Sequence, residues 1–142
     1  MAKSEPTDID SITGGRVRTF TENGRELYES QTSNFLSQID KSWECVELLL
    51  EEFSECGKEL KPLRELEKKL LAAREVYVAK SDEYIQFLIR KKIEETQITL
   101  VEFKHKCIKC IEIIDNTIKQ IKALKLEISE TLSVSGKTTI KD

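Results

Sequence analysis

One histidine and two cysteines lie close together in the sequence, and their types are the ones most suggestive of chemistry. His105, Cys107 and Cys110 fall within six residues, and Cys-x-x-Cys is half of many zinc sites. No second close pair exists, because Cys45 and Cys56 are eleven residues apart, about three turns of a helix. The strand–helix context of a thioredoxin-type redox pair is also missing. We therefore predict no metal site. If the chain does bind a metal ion, His105, Cys107 and Cys110 are the candidate ligands.

Other catalytic and ligand-binding patterns are missing from the sequence. No serine, cysteine or carboxylate is visibly arranged around His105 as in a nucleophilic triad. Gly14-Gly15 lacks the flanking strand and the lysine of a phosphate-binding loop. We expect a non-enzymatic protein with no cofactor and no small-molecule substrate.

Helices must position these side chains, because helical periodicity dominates the sequence. From Leu63 to Ser135 the chain has no glycine and no proline, and its apolar residues recur every three or four positions. A single helix of this length would extend about 110 Å and could not cover its own apolar stripe. The pattern predicts an all-α protein, an antiparallel three-helix bundle or coiled coil. One heptad row in the third helix contains Cys107, Ile114, Ile121 and Ile128.

The predicted organisation has three parts. They are a disordered leader at residues 1–18, a helical bundle at 19–132 and a short flexible tail at 133–142. Helices are expected at about 21–56, 62–90 and 96–132, with a bend or tight turn within residues 90–96. That turn is placed by a polar stretch followed by β-branched residues, which are weaker helix formers.

Local signals mark the ends of the first two helices. The first helix begins either with Thr19, in a capping box with Glu22, or with Thr21 as the cap. The sequence does not separate these two alternatives. Gly57 suits a left-handed cap at the end of the first helix, and Pro62 suits the first turn of the second.

The distribution of charge argues against a general binder of nucleic acids or membranes. Charged residues make up 35% of the chain, and the formal net charge is only −3. Acidic residues dominate positions 37–60, whereas lysines of the third helix alternate with acids that weaken their field. We expect at most weak, non-specific binding of nucleic acid and no membrane partner. Without a signal peptide or a long apolar run, the expected location is cytoplasmic, with nuclear as the alternative.

Aromatic residues beside charged positions suggest a surface for self-association. Such residues are typical of the centres and rims of protein interfaces. We predict a homodimer or a higher assembly through a face formed by Trp43, Leu50, Phe53, Tyr77 and Tyr84.

The stretch from Arg16 to Leu27, RVRTFTENGREL, joins a short basic leader to a helix start. Later features in order are Trp43, the Tyr/Phe-rich segment 84–88 and the paired acids Glu94-Glu95. Together they resemble the helical gag-like N-terminal region of Bel/Pao-type retrotransposon polyproteins, or a domesticated relative. The resemblance covers residues 16–128 and implies a non-enzymatic assembly or adaptor segment. The zinc knuckles, protease and polymerase of that family are not in this chain.

The sequence therefore favours a helical, gag-like module for protein–protein interaction or self-assembly. Two alternatives remain open. The first is a nucleic-acid-binding gag-type module that uses Arg16, Arg18 and the lysines of the third helix. The second is a metal- or redox-responsive switch built on the cysteines.

Overall fold

Three long helices account for almost all of the part of the chain that the structure describes. This computed structural model describes the backbone of residues 21–136 and the side chains of residues 21–133. Helix α1 spans Glu22–Glu55, α2 spans Leu60–Lys91 and α3 spans Glu94–Gly136, and no strand occurs in this range. The predicted all-α three-helix bundle is confirmed. The predicted leader at residues 1–18 and residues 137–142 of the predicted tail lie outside the described residues.

The helices are antiparallel along the chain. Arg74 in α2 pairs with Asp115 in α3, and Glu67 in α2 pairs with Lys125 in α3. The earlier residue of α2 therefore contacts the later residue of α3, so the two helices run in opposite directions. The rings of Phe35 in α1 and Tyr84 in α2 lie 5.7 Å apart between centroids. Each bound differs from its predicted position by one to four residues. The largest difference is at the end of α3, which continues to Gly136 because no helix-breaking residue precedes that glycine.

Two compact units can be distinguished within the bundle, and each contains a segment of every helix. The described part of unit 1 comprises residues 21–41 and Ala79–Ile108. Unit 2 comprises Ser42–Val78 and, within the described range, residues 109–136.

Thr21 caps the start of α1. Its hydroxyl oxygen accepts a hydrogen bond from the backbone N–H of Gly24 at 2.8 Å, which satisfies one of the unpaired donors of the first turn. A Cβ at position 24 would lie only 2.7 Å from that oxygen, so glycine lets the cap close. Of the two predicted helix starts, the structure selects Thr21, while Thr19 lies outside the described residues.

The connection between α1 and α2 uses the expected breaker residues. Helix α1 ends at Glu55, and Gly57 lies in the short connection that follows. The φ of Gly57 lies outside the left-handed region, so the predicted left-handed cap is wrong. The helix ends instead with the N–H of Cys56 donating to the carbonyl of Phe53 at 3.1 Å. Pro62 lies in the first turn of α2, where its missing N–H leaves no helical hydrogen bond unmade. The first helical bond of α2 then runs from the N–H of Leu63 to the carbonyl of Glu59 at 3.3 Å.

The turn between α2 and α3 forms without glycine or proline. Lys92 has a φ of 51°, the left-handed conformation that usually favours glycine, and only Ile93 separates it from α3. Thr96 is fully buried, and its hydroxyl donates to the carbonyl of Ile93 at 2.7 Å. The same hydroxyl accepts from the N–H of Ile93 at 3.3 Å. The side-chain amide of Gln97 donates to the carbonyl of Leu88, which ties the start of α3 to the end of α2.

Aliphatic residues form the core of unit 2. Val46 of α1 packs with leucines of α2 and isoleucines of α3, and none of the cluster is appreciably exposed. The predicted heptad row of α3 is confirmed here, since Ile114 and Ile121 are fully buried and Ile128 packs at the edge of the cluster. The buried members are Val46, Leu63, Leu66, Leu70, Ile114, Ile118 and Ile121.

Aromatic rings form much of the core of unit 1. Tyr84 makes an edge-to-face contact with Phe103 at 4.8 Å between centroids. Phe87 lies 4.9 Å from Phe35 and stacks on Tyr28 at 5.8 Å. Such pairs contribute about 0.5–1.5 kcal/mol each beyond the apolar area they bury. One cluster of rings therefore joins all three helices in this unit.

The turn between α2 and α3 should depend on the Thr96 hydroxyl. Thr96→Val keeps the shape of the side chain but leaves the backbone groups of Ile93 without these two bonds, which should lower the free energy of unfolding by about 1–3 kcal/mol. Thr96→Ser keeps the hydroxyl and should cost less. Urea unfolding measures both. Thr99→Val, which removes an exposed hydroxyl bonded one turn back in α3, is the matched control. Equal stability of Thr96→Val and wild type would contradict this account of the turn.

Candidate functional site

Two of the five residues predicted to form an interface belong to the core instead. Tyr77 and Tyr84 are each only 2% exposed. The ring of Tyr77 lies 5.4 Å from that of Trp43, while Tyr84 is covered by Phe35 and Phe103. The prediction that the two tyrosines form an intermolecular face is wrong. Their spacing of seven residues places them on the inner face of α2, whereas the charged residues between them lie on other faces.

The other three predicted interface residues line the edge of the core in unit 2. Trp43, Leu50 and Phe53 are half-buried and pack against its aliphatic cluster. Most of their apolar surface is therefore used within the chain, because they close the cluster on the α1 side. They do not form an exposed face with the tyrosines.

The structure separates the three residues with metal-ligand chemistry. Cys107 is buried in the core, Cys110 is half-buried and His105 is exposed on the opposite side of α3. Cys45 is exposed on α1, and none of the four cysteines forms a disulfide. Among the described residues, no group of three or more His, Cys, Asp or Glu is placed to hold a metal ion. Cys107 is thus a small core residue, whereas Cys110 is only partly covered.

Ion pairs between helices involve acids of α2 and α3 more than the acidic run of α1. Asp115 receives two hydrogen bonds from Arg74, at 2.7 and 3.2 Å, in a bidentate arrangement. Lys125 bonds to the buried carboxylate of Glu67, so that lysine does not belong to an open basic face. Of the acids in residues 37–60, only Glu52 takes part in a described ion pair, and its partner is Lys69 of α2.

Burial perturbs one ionisable group in the core of unit 1. Removal from water raises the pKa of Tyr84 to about 12, and the neighbouring Tyr28 adds to the shift. The hydroxyl of Thr32 lies beside it and has a smaller, opposite effect on this pKa. The site is a polar group within a helical core.

The outer face of α3 in unit 1 carries an exposed row of three aliphatic residues and one histidine, which we call the α3 seam: Ile98, Val101, His105 and Ile108. The three aliphatic members are 56%, 57% and 55% exposed. Their spacing of three, four and three residues is that of the a and d positions of a coiled coil. On the inner face of the same segment, Leu100, Phe103 and Cys107 complete the core. Sequence reasoning missed this row because the inner heptad row accounted for the helix by itself.

The outer face of α1 in unit 2 is strongly acidic around one exposed leucine. We call Glu44, Glu47, Leu48 and Glu51 the α1 acidic face. Leu48 is 65% exposed, more than any other large apolar side chain among the described residues. The four residues line a shallow, open groove together with Leu50.

Within residues 21–136, no helix has the length and apolarity needed to cross a membrane.

The shifted pKa of Tyr84 predicts a dependence of stability on pH. Because the pKa is about 12 in the folded chain and about 10 in the unfolded chain, its contribution is complete below pH 10 and is lost as pH rises toward 12. At pH 11 the wild type should have lost about 1.4 kcal/mol more, relative to pH 9, than Tyr84→Phe. Urea unfolding at both pH values measures this difference. Parallel losses in wild type and Tyr84→Phe would contradict the burial of this hydroxyl.

The chain has no match among the known proteins with which it was compared. The comparison covered models of protein families, curated proteins and solved structures. The gag-like resemblance stays a prediction, since none of these comparisons bears on it. The function proposed below therefore depends on the packing, exposure and charge of the described residues.

Proposed function

We propose that this chain is a non-enzymatic helical module for protein–protein interaction, and that it binds a partner helix on the α3 seam. The observation that carries the proposal is the exposed row of Ile98, Val101 and Ile108 at coiled-coil spacing. An unpaired row of this kind is the surface that a second amphipathic helix covers in helix-in-groove and coiled-coil recognition.

The seam is not needed to close the fold, which supports a role in binding. The core of unit 1 is filled by aromatic and aliphatic residues on the inner faces of the helices. The apolar members of the seam remain more than half exposed to water in the folded chain. Burying one such side chain contributes about 1–2 kcal/mol, so three of them supply the apolar centre of a modest interface.

Lysines flank the seam and indicate the charge of its partner. Lys104 and Lys109 lie on the two sides of the row and are exposed, with Lys106 further round the helix. Glu102 opposes them only in part. A helix with apolar residues at its centre and acidic residues at its edges would match this surface.

The proposal includes self-association and a cytoplasmic location, and it is compatible with a gag-like origin. A module of that kind would use its helix faces for assembly and would need neither cofactor nor substrate. The nucleic-acid alternative is weaker, because acids alternate with the lysines of α3 and Lys125 is paired with Glu67.

A synthetic acidic helix tests this function directly. The probe is a labelled peptide with leucine at its a and d positions and glutamate at its e and g positions. Wild type should bind it, and the seam variant Ile98→Gln, Val101→Gln, Ile108→Gln should bind it at least about tenfold more weakly. Fluorescence anisotropy measures the affinity. The control variant Leu27→Gln, Leu71→Gln, Val76→Gln changes three other exposed apolar residues and should bind as wild type does. Equal affinity of the seam variant and the control would overturn the proposal.

A further inference from the structure

We infer that the partner of the α3 seam is the α1 acidic face of a second copy of this chain, so that copies join head to tail. This inference rests on the proposed function and names the partner for the same surface. Three features of the two faces support it: the shape of the seam, the matching charges, and the repulsion that would oppose pairing of one seam with another.

The shape argument concerns Leu48 and the surface that could receive it. In a coiled coil, a knob on one helix enters a hole formed by residues i, i+3, i+4 and i+7 of its partner. Val101, Lys104, His105 and Ile108 stand at those four positions on the outer face of α3. Leu48 is the highly exposed apolar residue of the α1 acidic face. It fits such a hole, and burial there would remove both apolar surfaces from water.

The charge argument concerns the residues around the knob and the hole. Glu44 and Glu51 lie one turn before and one turn after Leu48, and Glu47 lies beside it. All three carboxylates are exposed, and none takes part in an ion pair within the described residues. Lys104 is likewise exposed and takes part in no ion pair within the described residues. Docking would place acids next to the lysines at the edges of the seam, which favours encounter and fixes the register.

Pairing of two seams with each other is disfavoured by the same charges. Lys104 and Lys109 flank the row on its two sides. In a seam-to-seam dimer, lysines of both copies would meet at the edges of the interface, and like charges there cost free energy. When the α1 acidic face docks on the seam instead, the lysines meet carboxylates and this repulsion does not arise. The contact is therefore between two different surfaces.

A contact between different surfaces has a consequence for assembly. Each dimer leaves one α3 seam and one α1 acidic face uncovered, so further copies can add, giving a ring or an open chain. A single helix-to-helix contact buries little area, so each step should be weak and measurable at micromolar concentrations and above. Because exposed charges contribute, association should weaken as the salt concentration rises.

Two complementary variants test the inference. The acidic-face variant carries Glu44→Lys, Glu47→Lys and Glu51→Lys. The seam variant carries the three glutamine substitutions already described. Each variant alone lacks one half of the contact and should remain monomeric in sedimentation equilibrium. Mixed together, they should form a 1:1 heterodimer that does not grow, because one intact seam meets one intact acidic face. Wild type should grow beyond the dimer with concentration.

Controls separate specific loss from general effects. The variant Glu26→Lys, Glu29→Lys, Glu83→Lys makes the same change in net charge at other exposed positions and should assemble as wild type does. Leu48→Gln removes only the knob and should weaken association at least about threefold. This second variant decides the outcome if the triple charge reversal fails to fold, which circular dichroism reveals.

Three results would count against the inference or the function on which it rests. Wild type that stays monomeric up to millimolar concentration would exclude a second copy as the partner, and with it the proposed self-association, whereas the peptide titration would still decide whether the seam binds a partner helix. An acidic-face variant and a Leu48→Gln variant that both assemble as wild type does would exclude the α1 acidic face as the partner surface. Failure of the acidic peptide to bind, with wild type still assembling through other residues, would overturn the proposed function as well.

Discussion

The reversal of the chain between α2 and α3 is the constraint on which the rest of the structure depends. No glycine or proline interrupts the chain from Leu63 to Ser135, so propensity alone would favour one continuous helix. The turn requires Lys92 in a left-handed conformation, which costs about 1 kcal/mol for a residue with a side chain. The buried Thr96 hydroxyl and the tertiary contacts beyond the turn offset that cost. The contact of Tyr84 with Phe103 and the pair of Arg74 with Asp115 form within one chain because the chain reverses here.

Reversal also determines which surfaces remain available for binding. Once α3 folds back, its inner heptad row is covered by α1 and α2, and its outer row stays in water. A continuous helix would have needed another chain to cover the inner row. In the folded-back bundle the inner apolar row is covered by the other helices of the same chain, and the α3 seam is left as a separate exposed surface. The proposed function therefore rests on the second, outer row of α3, and it does not require any part of the core to be exposed.

The sequence was sufficient for the helices and for much of the core. Heptad spacing predicted the burial of Ile114 and Ile121, and Thr21 was one of two predicted caps. The turn was predicted only as a range of residues, because a left-handed lysine has no distinct sequence signal. Its exact place depends on the Thr96 hydrogen bonds, which exist only when α2 and α3 are packed together.

The interaction surface was harder to predict than the fold. Tyr77 and Tyr84 were assigned to an interface because aromatic residues with nearby charges occur in both cores and interfaces, and sequence alone does not distinguish the two environments. Their seven-residue spacing was the available signal that they share the inner face of α2. The seam was missed for the opposite reason. Helix α3 has apolar rows on two faces in unit 1, and only the packing of the other helices decides which row is covered.

A distance between α2 and α3 tests the reversal most directly. Glu75 and Glu112 are exposed and lie within unit 2, close to the paired residues Arg74 and Asp115. Spin labels attached there through non-natural side chains leave the native cysteines untouched. Pulsed electron resonance should give a distance below about 30 Å, since packed helix axes lie about 10 Å apart, and dilution with unlabelled protein should not change it. A distance near 55 Å, the span of a continuous helix, or a short distance that disappears on dilution, would contradict the folded-back bundle.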